Sequence, residues 1–515
     1  MPAHAHHGGT QTLGRLLETR AARTPDKLFL ISEADGRAYT YREFDRAVSR
    51  AANMLAGFGV GRGDVVSLLL PNGAEYVAAY FACFRLGALA GPVNSLLKPE
   101  EMAYVVGNSG AKVLLYHTEF EAQALELFES LGETVTPVRF DRLETAAGHF
   151  SEDHAAFGAT HVESDDEAII IYTSGTTGKP KGCLLTHANL FANARQIAEW
   201  MGFTEDDRLL TVMPLFHMNA VTVTTMTALY AGGSTVVSPR FSASRFWKII
   251  SDHGVTSFGS VATMLSMLLA KYPDGVPEEF KIERLRFAMC GSAPVPAEVL
   301  RRFEERFGCL VIEGYGLSES TCRSTFNPPN GRRRPGSCGL PIGNEMRVFD
   351  EDDREVPDGE AGEIVLRGPN VFKGYYKNEE ATRRAFRSGW FHTGDVGYRD
   401  AEGFFHIVDR KSDMIIRGGE NIYPRETDEL LYTHPAVAEA ATFGVPDELY
   451  GEEVVAHVVL REGAEASGEE LSEFCRARLA EYKCPKVVRV VASLPKGPTG
   501  KVLKRELARR HARGE

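Results

Sequence analysis

One stretch, Tyr172-Thr173-Ser174-Gly175-Thr176-Thr177-Gly178-Lys179-Pro180-Lys181-Gly182, constrains this chain more than any other. The apolar run Ala168-Ile169-Ile170-Ile171 precedes it, as a buried strand would, and Cys183-Leu184-Leu185 resumes the apolar pattern after it. The stretch is therefore expected as a polar hairpin tip. Three glycines let the backbone take positive φ and approach a ligand closely, the threonines and the serine offer hydroxyl donors, and Lys179 and Lys181 bring charge. Such a loop suits a polyphosphate. An ordinary exposed turn also uses Gly, Thr and Lys, but needs only about two to five residues, and this one has no acidic residue in its whole length. The common P-loop is excluded, because Pro180 stands where Ser or Thr should follow the lysine and proline has no N–H to offer a phosphate.

Around this loop the chain alternates between helical and strand patterns. Thr40-Tyr41-Arg42-Glu43 is a capping box, and Tyr41, Phe44, Val48, Ala51 and Leu55 follow at helical spacing until Gly57 and Gly59. Residues 65–70 and 111–116 are short apolar runs with helical stretches between them, so the expected class is α/β, with mainly parallel sheets covered by helices. At 515 residues, the chain is longer than one core usually serves. Its last hundred or so residues read as a compact α+β unit, with Pro424 at a helix start, strands near 436–443, 454–460 and 487–491, and a helix over 467–482.

A net charge of −12 argues against a nucleic-acid partner, and no run of about 18 apolar residues is present to span a membrane. Eight cysteines without a C-x-x-C pair indicate neither a zinc ribbon nor a disulfide framework, which fits a cytoplasmic protein. The start of the chain, residues 1–12, is expected as a flexible tail, and His4, His6 and His7 are read as part of it before they are read as a metal site.

Several further segments carry chemistry. In Glu313-Gly314-Tyr315-Gly316-Leu317-Ser318-Glu319, a glycine-flanked aromatic can stack on a purine and a nearby carboxylate can hold Mg²⁺ against phosphate oxygens. His392-Thr393-Gly394-Asp395 places an aspartate in what reads as a tight loop, where a turn-forming role is the plain reading. Met289-Cys290-Gly291-Ser292-Ala293-Pro294 reads as a strand-to-helix connection and Val408-Asp409-Arg410-Lys411-Ser412-Asp413 as a charged linker.

Residues 173–182 and these segments, in this order, resemble the AMP-forming acyl-CoA synthetases, the superfamily that also holds peptide-synthetase adenylation domains and luciferases. The resemblance covers nearly the whole chain. It implies a large N-terminal domain over 13–409, a hinge at 410–412 and a small mobile domain over 413–515. It implies ATP, Mg²⁺ and coenzyme A as cofactor and co-substrates, and a small carboxylic acid that becomes acyl-AMP and then acyl-CoA; a homodimer is one open option. ATP or AMP would meet Thr173, Ser174, Gly175, Thr176, Thr177, Gly178, Lys179 and Lys181 in the loop, then Gly291, Ser292, Ala293, Glu313, Gly314, Tyr315, Gly316 and Ser318. Asp395 and Arg410 would hold the ribose or phosphate, and Glu319 the metal. Lys501, in Pro495-Lys496-Gly497-Pro498-Thr499-Gly500-Lys501, would enter the site for adenylation, while Gly418 and Gly419 would line the passage for CoA. Ser318 stands where the family commonly has Thr, which keeps the hydroxyl, and Ser412 replaces the hinge Asp or Lys frequent in relatives.

His217, in Met213-Pro214-Leu215-Phe216-His217-Met218-Asn219-Ala220, would border the carboxylate site, although its composition alone favours a core histidine. Amino-acid-activating members usually place an Asp just beyond it; Met218 and Asn219 stand here instead, which disfavours an amino acid substrate. The implied acyl pocket lies in residues 218–223, 259–264 and 337–339, giving Met218, Asn219, Val223, Ser260, Met264, Cys338 and Gly339 as candidates. None of those segments contains a charged residue, so the expected acid is a monocarboxylate with an uncharged tail. Three alternatives stay open: an enzyme loading an acyl or aryl acid onto a carrier protein, an oxygen-using luciferase-like enzyme, and a catalytically silent nucleotide-binding homologue.

Overall fold

The computed structural model describes residues 12–153, 161–173, 180–291, 295–410, 413–418, 420–497 and 502–513. The histidines of the expected N-terminal tail lie outside them. Two seven-stranded, mainly parallel sheets form the larger part of the protein. The first runs in the order Leu310–Glu313, Phe287–Cys290, Ser257–Ser260, Arg208–Thr211, Ser234–Val237, Leu28–Ser32 and Ala38–Thr40, with only the last strand antiparallel. The second runs Gly374–Tyr375, Lys181–Thr186, Glu167–Thr173, Leu89–Pro92, Val65–Leu69, Ala111–Tyr116 and Thr136–Arg139.

Between the two sheets lies the helix Ala74–Leu86, which touches strands of both and has every residue buried. Its sequence is apolar all round, as a helix without a solvent face requires. Its two charges are paired, Glu75 with Arg37 at 2.7 Å and Arg85 with Asp45. The capping box at Thr40 is formed, with Thr40 and Glu43 exchanging hydrogen bonds at the start of the helix Tyr41–Gly57.

A five-stranded antiparallel sheet follows, in which Trp390–Arg399 pairs with both Gly362–Arg367 and Phe405–Arg410. Here one expectation is corrected: Asp395 sits inside a ten-residue strand and not in a tight loop. Gly394, at φ +74°, lets the strand accommodate shifts of register there, so a turn-like sequence is absorbed as an irregularity in the ladder. A smaller α+β unit completes the chain, its sheet built on the long hairpin Val437–Asp447 and Gly451–Leu460 and covered by the helices Pro424–Tyr432, Gly468–Arg476 and Lys504–Ala512. The helix expected over 467–482 stops at Arg476. Leu479 and Cys484 turn back onto Leu471 and Cys475 in the small core, and a straight helix would carry them away from it.

Candidate active site

The strands that flank the phosphate-loop segment pair antiparallel, with Thr173 opposite Lys181 at the last described pair. Ser174, Gly175, Thr176, Thr177, Gly178 and Lys179 lie outside the described residues. Lys181 places its ammonium 5.2 Å from the ring centroid of Tyr375, on the neighbouring strand Gly374–Tyr375. The Tyr375 hydroxyl in turn donates to Oε1 of Glu319 at 3.0 Å. Burial, and then the charge of Glu319, pushes the Tyr375 phenol upward, so it stays a proton donor to that carboxylate. Sequence reasoning missed Tyr375: it lies beyond every segment singled out above, and only strand pairing brings it to the hairpin.

Glu319 sits on the short turn Ser318–Ser320, directly after Tyr315 and its two glycines. Glycine is required at both, since a Cβ at Gly314 would stand 2.4 Å from the Phe326 ring and one at Gly316 2.0 Å from the Cys322 carbonyl oxygen. The parallel strands before them end level, with Ser260, Cys290 and Glu313 side by side in register. Gly291 and Gly314 therefore leave adjacent strand ends, the place where open α/β sheets bind ligands. Ser292 and Ala293 lie outside the described residues.

Tyr315 donates its hydroxyl proton to Oδ2 of Asp395 at 2.6 Å, and burial followed by the charge of Asp395 holds that phenol well above its usual range. The backbone of Arg410 is the ladder partner of Asp395, which brings the two expected ribose residues together. Glu313 accepts the Gly336 N–H at 3.0 Å, and burial pushes its carboxyl up to about 8. At neutral pH it carries a proton and offers the cavity both a donor and an acceptor.

Tyr315, Cys338 and Asp395 line a cavity of about 250 Å³ that the small unit closes with Lys496, Val502 and Lys504. Lys496 and Val502 form a β-bridge across the closing loop, so both flanks of Lys501 are at the cavity; Lys501 itself lies outside the described residues. Lys504 lies 3.3 Å from Asp428. Burial works against its charge, but Asp428, Asp409 and Asp413 outweigh burial and raise its pKa. Gly418, at φ +61°, packs on Tyr450 within the small unit and does not line the cavity, and Gly419 is outside the described residues.

His217 is neutral at physiological pH, because burial lowers it to about 4, and its Nε2 is buried without a hydrogen-bond partner. Asn219 approaches the backbone of Gly259, where a Cβ would come within 3.1 Å of its Oδ1. Met218, Val223 and Met264 are packed in the main core, and Ser260 turns its hydroxyl to the Met289 carbonyl. From the helix carrying Met264, it is Ala262, Thr263 and Ser266 that face the cavity. Cys338 does line it, whereas Gly339 is a packing position at φ +91° whose Cβ would lie 2.1 Å from the Phe326 carbonyl carbon.

Residues 17–376 match the family model described as AMP-binding enzyme, and residues 426–501 the one described as AMP-binding enzyme C-terminal domain. The chain belongs to the AMP-binding enzyme family. This AMP-binding enzyme is 41% identical to a sulfoacetate–CoA ligase of Cupriavidus necator, across 96% of this chain and 97% of that one. It is 36% identical to an oxalate–CoA ligase of Arabidopsis thaliana, across 97% and 98%. Among solved structures it is similar to ATP-bound MatB from Rhodopseudomonas palustris, with a TM-score of 0.90, 32% identity and coverage of 98% and 99%. Apo MatB from the same organism is similar at the same coverage, with a TM-score of 0.78. The chain is an acid–thiol ligase: it activates a carboxylic acid with ATP and transfers the acyl group to CoA. None of its described helices is long and apolar enough to cross a membrane.

Proposed function

We propose that the cavity between the two parts of the chain is the site of both half-reactions, and that the arrangement described above is the one used for adenylation. The observation that carries this reading is that the flanks of Lys501 line the same cavity as Tyr315 and Asp395. In the first half-reaction a carboxylate oxygen of the acid attacks the α-phosphorus of ATP and pyrophosphate leaves. Negative charge gathers on phosphate oxygens, and Lys181, Lys501 and the donors of residues 173–181 would stabilise it. Asp395 receives the ribose hydroxyls, and Tyr315 keeps that carboxylate oriented. His217, neutral and with Nε2 unpartnered, is available to the substrate carboxylate as a donor.

Glu319 fits Mg²⁺. The described residues hold no cluster of three His, Cys, Asp or Glu side chains, and Mg²⁺ in nucleotide sites takes one or two carboxylates, with water and phosphates completing its shell. Glu319 would hold the ion, and Tyr375 fixes the carboxylate for it. Bound there, Mg²⁺ would neutralise phosphate charge.

In the second half-reaction the CoA thiol attacks the acyl carbonyl and AMP leaves. We assign the large domain to 13–409, the small domain to 413–515 and the hinge to 410–412, about which the small domain turns to bring Gly418 and Gly419 to the cavity in place of Lys501. All eight cysteines are unpaired, which supports a reducing, cytoplasmic setting. The test is an acid panel assayed for ATP-dependent pyrophosphate release and then for thioester on CoA. Sulfoacetate and oxalate, the acids of the relatives, are assayed first. Pyrophosphate release with no acyl-CoA, in the presence of a carrier protein that becomes acylated, would overturn CoA as the acceptor.

A further inference from the structure

Arg323 follows the Glu319 turn and runs behind the glycines of the site. Its backbone is clamped by two asparagines: its N–H donates to Asn193 Oδ1 at 3.1 Å, and its carbonyl accepts from Asn193 Nδ2 at 2.6 Å and Asn370 Nδ2 at 3.1 Å. The residue is 2% exposed, yet its guanidinium makes a single long bond, from Nη1 to the Cys322 carbonyl at 3.3 Å. Nε and Nη2 are buried and have no partner, and among the described residues no carboxylate pairs with Arg323.

The direction of the side chain is set by Gly291. A Cβ there would stand 2.8 Å from Nη2 and 3.0 Å from Cζ of Arg323, so the guanidinium lies against the backbone that leaves the level strand ends of Ser260, Cys290 and Glu313. Phe326 flanks it, with its ring centroid 5.5 Å from Cζ.

An arginine cannot relieve burial by losing a proton, and an unpaired buried charge is strongly destabilising, so this guanidinium calls for an anion. Among the described residues the protein supplies none. Nε and Nη2 form the side edge of the guanidinium, the pair of parallel N–H groups that takes two oxygens of a carboxylate or sulfonate at once. We propose that Arg323 determines specificity by holding a second anionic group of the acid, and that the substrate is a small acid carrying a carboxylate or sulfonate besides the carboxylate that is adenylated. This rests on the ligase reading and replaces the uncharged tail that the wall segments suggested, because Arg323 lies outside all three of them.

The experiment measures kcat/KM of the wild-type enzyme for sulfoacetate, oxalate, malonate and succinate against acetate, propionate and butyrate, by pyrophosphate release and acyl-CoA formation. The expected result is a preference of at least about 100-fold for a doubly anionic acid over its singly anionic counterpart, the scale at which a site built for a polar group rejects analogues lacking it. The sulfonate and dicarboxylate arms show which oxyanion fits better. Arg323→Met is expected to narrow that ratio by a similar factor. Arg323→Lys, which keeps a charge but loses the fork, is expected to shift it in the same direction and serves if the methionine variant does not fold. A wild-type preference for a monoanionic acid, or an Arg323→Lys ratio equal to that of the wild type, overturns the proposal while leaving the ligase reading intact. Absence of pyrophosphate release with every one of these small acids also overturns the proposal, and release with an aryl or longer acid then shows that the ligase reading stands without it.

Discussion

The Tyr375 phenol donates to Oε1 of Glu319 across 3.0 Å, while the Lys181 ammonium lies 5.2 Å from the centroid of the same ring. Three segments far apart in sequence meet in this contact. It fixes a carboxylate beside the phosphate hairpin without neutralising it, since a phenol shares a proton and keeps it.

Replacing Tyr375 with Phe removes the hydroxyl and keeps the ring. A hydrogen bond to a charged group contributes about 1.5–3 kcal/mol, so the Mg²⁺ concentration giving half-maximal pyrophosphate release is expected to rise about tenfold or more. A magnesium titration at saturating ATP checks this; an unchanged midpoint would remove Tyr375 from the metal's support.

Lys501 and Gly419 are expected to separate the half-reactions. Lys501→Ala should lower acyl-AMP formation about 100-fold or more and leave conversion of supplied acyl-AMP and CoA largely intact, as loss of one transition-state contact does. Gly419→Leu should do the reverse, because a side chain there would obstruct the thiol's passage. Single-turnover assays of each half-reaction decide, and equal losses in both would contradict alternate use of the two loops.

Glu313 makes stability depend on pH. Its carboxyl is raised by burial from 4.5 to about 8 in the folded protein, so the folded state holds the proton more tightly than the unfolded chain. The stability this contributes is fully present below about pH 4.5 and is lost as pH rises through about 8. Relative to Glu313→Gln, which keeps an amide in place of the neutral acid, the wild type should lose several degrees of Tm between pH 5 and pH 9. A constant difference in Tm across that range would show that Glu313 is ionised throughout.

Gly339→Ala should destabilise the fold by about 3 kcal/mol or more, since φ +91° is strained for alanine and its Cβ would overlap the Phe326 backbone. Urea unfolding checks it. A variant as stable as the wild type would restore Gly339 as a candidate for the pocket wall.

Much of this enzyme was legible in the sequence, because the phosphate hairpin, the glycines around Tyr315 and the capping box at Thr40 depend on local backbone requirements. Glycines 314 and 316 are needed where neighbouring backbone and Phe326 leave no room for a side chain, and a run such as 168–171 has to be a strand once a polar tip follows it. The alternation of short apolar strands with helices likewise determined the α/β class. Tertiary structure alone decided which side chains meet. Tyr375 reaches Glu319 through strand pairing with the hairpin, and Asp395 faces Tyr315 because a turn-like segment was drawn into a long strand. Met264 faces the core while Thr263 faces the cavity, a choice made by the orientation of one helix. Arg323 reads in sequence as one more basic residue near a run of arginines. Its burial and lack of a partner come from the packing of Asn193, Asn370, Gly291 and Phe326 around it, contacts between residues up to 130 positions apart that no local pattern encodes.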